Sequence, residues 1–215
     1  MVFHYDDFYT ELLGAGFSMA GGNDEGIFSL IAHGWNEEVI GSPLRWHSGD
    51  ADSDPWEWRI RVLEKRDVAY GKLFFRKAGF ITAEWYPYFL AARRGSAVEI
   101  SGDERRIYDV VSASGGVATE EIKRAAGFEP QDKSKFDKAI TGLQMQMFIT
   151  VQGQKQISSW PSAVFTTCED FFNGTDVFEK AAKISMDESI AAIGGQVRKL
   201  NPNATDKKIM KFIKG

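Results

Sequence analysis

The side chains best suited to chemistry in this sequence are amides and cations gathered between Gln131 and Lys155. A glutamine amide carries a donor and an acceptor that fit an adenine edge, and lysine or arginine neutralises phosphate. Gln144-Met145-Gln146 puts two amides near the end of an apolar-striped helix, with Gln144 expected exposed and Gln146 partly so. Base-reading side chains of such a helix come mainly from its N-terminal part. Gln131, Ser134, Lys135, Lys138 and Thr141 are therefore the stronger contacts, joined by Lys133, with Gln154 and Lys155 in a polar loop further on. A second basic set includes Arg59, Arg61, Lys72, Arg76, Lys77, Arg93 and Arg94, interleaved with Trp56, Trp58, Phe74, Phe75, Trp85 and Tyr86. It reads either as an aromatic core with basic rims or as a surface that holds phosphate and stacks bases. Arg59, Arg93 and Arg94 are its candidate contacts.

Other chemistries are poorly supported. Asp50-x-Asp52-x-Asp54 opens like a calcium loop, but such a loop needs Gly at its sixth position and Glu at its twelfth, where this chain has Pro55 and Arg61. An acidic loop capping a helix is the better account. His4, His33 and His47 lack ligand spacing and a cysteine partner, so no metal is expected. Gly14-x-Gly16 and Gly21-Gly22 fit neither a dinucleotide nor a phosphate-loop spacing, and no cofactor is implied. The single cysteine, Cys168, ends a predicted strand and reads as a buried structural thiol.

The elements that must position these residues are clearest over 103–168. Ile107, Val110 and Val111 have helical spacing up to Gly115-Gly116, and Thr119 is expected to cap a second helix over 120–126. Gln131-Asp-Lys-Ser opens a third, with Phe136, Ile140, Leu143 and Met147 as its buried stripe. Alternating runs over 147–152 and 163–168, separated by the polar loop, complete a winged helix-turn-helix: three helices plus a β-hairpin wing. Before it, residues 1–50 read as irregular and glycine-rich, with helical pieces near 6–13 and 24–33. Asp54 caps a helix through Pro55 and Glu57, residues 68–82 form a hairpin turning near Lys77-Ala-Gly79, and Thr82 caps a helix running to Arg94. After it, Ser185-Met-Asp-Glu188 and Thr205 open two further helices. The expected fold is thus α+β. An aromatic-rich mixed N-terminal half (1–100) packs on a winged helix (101–170), followed by a helical extension (171–215).

Composition bounds the partners. Residues 1–100 carry 10 basic and 15 acidic side chains, 101–170 carry 8 and 10, and 171–215 carry 8 and 5, for a net charge of -4 over the chain. No domain-scale basic footprint exists, so strong nonspecific phosphate binding is not expected. With one cysteine, no membrane-length apolar run and no signal peptide, the chain reads as cytoplasmic.

Two adjacent pieces carry a family resemblance. Asp54-Pro-Trp-Glu-Trp-Arg59 leads into Tyr70-Gly-Lys-Leu-Phe-Phe-Arg-Lys-Ala-Gly-Phe-Ile81, and Glu84-Trp-Tyr-Pro-Tyr-Phe-Leu-Ala-Ala-Arg-Arg94 runs directly into the winged helix. This resembles the small proteins related to AlkZ, the alkylpurine DNA glycosylase, and more weakly AlkZ itself and its crosslink-unhooking relative YcaQ. The resemblance implies tandem winged helices and a Gln-x-Gln or Gln-x-Asp signature in an N-terminal one. Residues 1–100 contain no such motif. Gln144-Met145-Gln146 matches its letters in a different winged helix, so the catalytic roles do not transfer to it. The leading expectation is a winged-helix protein that binds duplex DNA without catalysis. The alternatives are a glycosylase that flips an alkylated base, with Gln144 or Gln146 positioning water, and a protein-interaction module, in which a homodimer is one form.

Overall fold

The computed structural model describes residues 2, 4–21, 45, 47–94, 99–100, 102–157 and 160–215. The helix expected at 24–33 lies outside them. Helix α1 (Tyr5–Ala15) buries Tyr5, Phe8, Leu12 and Ala15 at helical spacing. Gly16 ends it at φ 85°, where a Cβ would lie 2.2 Å from the Trp85 indole, so only glycine fits. Strand β1 (Phe17–Met19) follows at once, where the sequence suggested irregular chain. Helix α2 (Pro55–Arg61) starts as expected. The buried Asp54 carboxylate accepts the N–H groups of Trp56, His47 and Gly49 at 2.8, 3.1 and 2.9 Å. It therefore works as a cap rather than as a metal ligand.

Strands β2 (Val68–Phe74) and β3 (Lys77–Thr82) form the expected hairpin, but it turns earlier, at Phe75-Arg76. Both residues have positive φ, 50° and 63°, the mirror-image turn that normally takes Asn-Gly. Thr82 does not cap helix α3 (Tyr86–Arg94). It is the buried end of β3, and only its carbonyl accepts the Trp85 N–H, at 3.0 Å.

Helices α4 (Gly102–Ser114), α5 (Thr119–Ala125) and α6 (Lys133–Met145) follow, with the short strand β4 (Val117–Ala118) between the first two. Ile107, Val111, Ile122, Phe136, Ile140, Leu143 and Phe148 are buried together, and Val110 packs at their margin. Thr119 is not the cap expected of it. Its hydroxyl donates to the Ala163 carbonyl at 3.1 Å, and the Glu121 carboxylate accepts the Ala118 N–H at 3.0 Å. Strands β5 (Ile149–Gln156) and β6 (Pro161–Thr167) pair from Ile149 with Thr167 to Gln156 with Pro161, extending into residues read as loop.

The six strands make one antiparallel sheet in the order β1-β3-β2-β5-β6-β4. Tyr70 opposite Val151 joins the two halves of the sheet. The fold is thus mixed α/β, with ten α-helices among the described residues.

The chain closes with α7 (Cys168–Phe171), α8 (Val177–Ala181), α9 (Met186–Leu200) and α10 (Asp206–Lys214). Ser185 and Thr205 cap the last two, accepting the N–H groups of Glu188 and Lys208 at 3.2 and 3.4 Å. Cys168 begins a helix rather than ending a strand, and burial pushes its thiol up to about 12, which makes it inert. Among the described residues no helix is long and apolar enough to cross a membrane.

One arginine ties these pieces together. Arg93 Nε donates to the Ile213 carbonyl at 2.7 Å. Nη1 donates to the carbonyls of Leu73 and Met145, both at 2.9 Å, and Nη2 to Phe212 at 3.1 Å. Two of these elements are helix C-termini, where carbonyls lack intrahelical partners and a cation is favoured. Expected as a phosphate contact, Arg93 is instead enclosed. Burial lowers its affinity for a proton, but an arginine so satisfied keeps its charge.

Arg93→Ala would take the guanidinium donors from four carbonyls, of which Phe212 keeps the Gly215 N–H at 3.3 Å, and should lower unfolding free energy by about 3–5 kcal/mol. Arg93→Lys should recover only part of that, because an ammonium cannot reproduce the fork. Urea denaturation measures both, and a loss below about 1 kcal/mol for the alanine variant would contradict this role.

Candidate nucleic-acid interface

Helix α6 buries Phe136, Ala139, Ile140 and Leu143 and leaves Lys133, Ser134, Asp137 and Lys138 exposed on its first turns. Beside it runs β2, fixed there by Gln144. The Gln144 amide oxygen accepts the Lys72 N–H at 2.9 Å, and its nitrogen donates to the Ile140 carbonyl at 3.0 Å. The approach requires Gly71, where a Cβ would lie 2.8 Å from the Gln144 Oε1. Held this way, the β2–β3 hairpin brings Lys72 and Arg76 to the start of α6.

The result is an open cleft of about 820 Å³ with Lys72, Arg76, Lys133 and Lys138 around it. Gln131, Ser134, Thr141 and Asp137 complete its lining. Four cations therefore face one carboxylate. Among the described residues, no carboxylate is within ion-pair distance of any of the four.

The other expected contacts are engaged elsewhere. Lys135 pairs with Asp132 at 3.0 Å and Lys155 with Glu121 at 2.9 Å. Arg94 pairs with Glu169 at 3.0 Å and lies 4.3 Å over the Phe148 ring. Arg59 lies 3.8 Å over the Trp56 ring and donates to the Gln154 amide oxygen at 3.2 Å, which occupies both residues. Thr141 is buried and has little to offer a ligand.

Gln144 corrects the reading most. It was expected exposed, but it is 3% exposed and both ends of its amide bind backbone. Gln146 is half-buried, and its amide nitrogen lies 3.4 Å from the Glu104 carboxylate, whose pKa burial raises. Of the residues singled out from the sequence, Gln131, Lys133, Ser134 and Lys138 therefore come together. Lys72 and Arg76 were visible in the aromatic-basic segment, but nothing local distinguished them from Arg93 or Arg59.

A smaller cavity of about 280 Å³ adjoins the cleft, shares Lys72 and Asp137 with it and is lined also by Gln144. Tyr70, Phe136 and Phe165 give it aromatic walls, and Asp137 is the one carboxylate lining it. Among the described residues no three His, Cys, Asp or Glu side chains stand close enough to hold a metal ion.

The family model described as AlkZ related matches residues 2–214. The chain belongs to the AlkZ-related family. Comparison with curated proteins and with solved structures finds no match. The match spans both the hairpin and the three helices, so the cleft lies wholly within the AlkZ-related region.

In this AlkZ-related protein Gln144 holds two elements in place. Gln144→Ala should lower stability by about 1–2 kcal/mol through the lost bond to the Lys72 N–H. Gln146→Ala, which breaks one long contact, should cost less than half of that. Thermal melts of the two variants test this, and equal effects would remove the clamp assigned to Gln144.

Proposed function

We propose that this AlkZ-related protein binds duplex DNA through the cleft between α6 and the β2–β3 hairpin, without acting on it chemically. Helices α4, α5 and α6 with the β5–β6 hairpin have the order of a winged helix-turn-helix, and α6 is then the helix that approaches the major groove. The observation that carries the reading is the meeting of Lys72, Arg76, Lys133 and Lys138, none of them ion-paired among the described residues, at the N-terminal end of α6. Phosphate contacts set position and most of the affinity, while Gln131 and Ser134 are placed to meet base edges. Because β2 covers the C-terminal half of α6, only its first turns can enter a groove. The single, buried cysteine supports a reducing compartment such as the cytoplasm for this activity.

Binding should be salt-dependent and modest. Lys133→Ala with Lys138→Ala should weaken binding to all duplex sequences alike and reduce the slope of log K against log salt by about two. Lys135→Ala, which removes an ion-paired lysine, should leave the slope nearly unchanged. Fluorescence anisotropy across a salt series measures both. If the parent protein fails to bind any duplex at low salt, the reading is wrong.

One observation favours a second reading, in which the protein is a glycosylase. The aromatic-walled cavity beside the cleft is large enough for an unpaired base and holds one carboxylate, Asp137. Hydrolysis of a glycosidic bond needs such a pocket and a group that activates or positions water. The Gln144 amide is held at both ends by backbone, which leaves Asp137 as the candidate. The binding reading expects no free base when the protein is incubated with duplex carrying an alkylated purine. Release that disappears in Asp137→Asn would put the glycosylase first.

A further inference from the structure

We infer that α10 is a second phosphate-contacting strip, which continues the cleft around the tip of the β2–β3 hairpin; the inference rests on the duplex binding proposed above. Lys207, Lys211 and Lys214 are exposed, and their spacing of four and three residues sets them along one flank of the helix. Among the described residues none of the three is ion-paired, and the one acidic residue of α10, Asp206, is held by Arg198 at 2.6 Å. Residues 171–215 carry 8 basic against 5 acidic side chains, the reverse of the rest of the chain.

The hairpin tip supplies the continuity. Phe75 turns toward α10, its ring 6.0 Å from the Phe212 ring and 5.2 Å from the Lys211 ammonium. The next residue, Arg76, lines the cleft. The left-handed backbone of both residues sends these neighbouring side chains to adjoining surfaces.

Two other accounts fit less well. Lysines in a last turn offset the helix dipole, which explains Lys211 and Lys214 but not Lys207 in the first turn, where a cation is disfavoured. A basic amphipathic helix can also lie on an anionic membrane, but it does so by burying its apolar face in lipid. Here Ile209, Phe212 and Ile213 are already buried in the core, and Arg93 holds the carbonyls of Phe212 and Ile213. An elongated polyanion that meets only the lysine flank is the partner left.

The test uses the full chain with Lys207→Gln, Lys211→Gln and Lys214→Gln combined, and anisotropy on a long (about 30 base pairs) and a short (about 10 base pairs) duplex across a salt series. On the long duplex the salt slope should fall by roughly two to three and the low-salt Kd should weaken at least about tenfold, with a much smaller change on the short one. The matching triple arginine variant should retain the parental slope, and an unchanged melting temperature would confirm that both variants fold.

Parental behaviour of the glutamine variant, alongside a reduced slope in Lys133→Ala/Lys138→Ala, would overturn the strip and leave the cleft standing. Failure of the parent to bind duplex would remove both. Loss of binding to phosphatidylserine vesicles with duplex binding intact would assign the lysines to a membrane and overturn the inference.

Discussion

The Arg93 guanidinium governs how the rest of the molecule is arranged. Four carbonyls from three elements converge on it: Leu73 in β2, Met145 at the end of α6, and Phe212 and Ile213 at the end of α10. An enclosed cation without a carboxylate is costly unless its donors are filled. Its position therefore fixes the relative placement of hairpin, helix and tail more tightly than apolar contact would. The aromatic packing nearby is consistent with this, since Phe212 stacks on Phe74 at 4.2 Å and meets Phe89 edge-on at 5.7 Å. Apolar packing holds these surfaces together, and the arginine selects one register among those that packing alone would permit.

That arrangement decides which charges face outward unpaired. The sequence offers many basic residues in two clusters, and as letters they look alike. In the fold, Arg93 binds carbonyls, Arg94 and Lys155 bind carboxylates, Arg59 stacks on an indole and Lys135 pairs with Asp132 just ahead of its helix. Lys72, Arg76, Lys133 and Lys138 are left around one cleft. The distinction is one of partners rather than of residue type, and it is what turns a chain with more acids than bases into one with a locally cationic surface.

The sequence was legible where local periodicity and capping dominate. The stripe Phe136, Ile140, Leu143, the Asp54 and Ser185 caps, and the alternation on either side of the polar loop after residue 152 each depend on residues a few positions apart, and the structure has those helices and strands. It was illegible where distant segments meet. Gln144 sits on the face of α6 that would be open to solvent if the three helices stood alone; β2, some 72 residues away in sequence, covers it. Thr141 changes from contact to core beside it. The turn at Phe75-Arg76 was misplaced because glycine chemistry favoured the later Lys77-Ala-Gly79, whereas Gly79 is needed inside the strand, where a Cβ would strike the Phe74 ring at 2.5 Å. β1 was missed because three residues carry too little periodicity to read.

The strained turn and the acidic net charge belong to one argument. At about 0.1 M salt, charges more than about 10 Å apart are largely screened, so a net charge of -4 spread over the chain would matter less to the proposed polyanion than the few cations it would touch. Attraction at that range depends on where each cation stands. Two non-glycine residues with positive φ at the hairpin tip cost roughly 1–3 kcal/mol each and persist only where their surroundings hold them, and the Phe75 ring against Phe212 and Lys211 supplies that hold. The packing that holds this turn also holds Arg76 at the cleft. A chain that cannot rely on long-range charge gains from contacts already set in position, and the α6–hairpin cleft has that character.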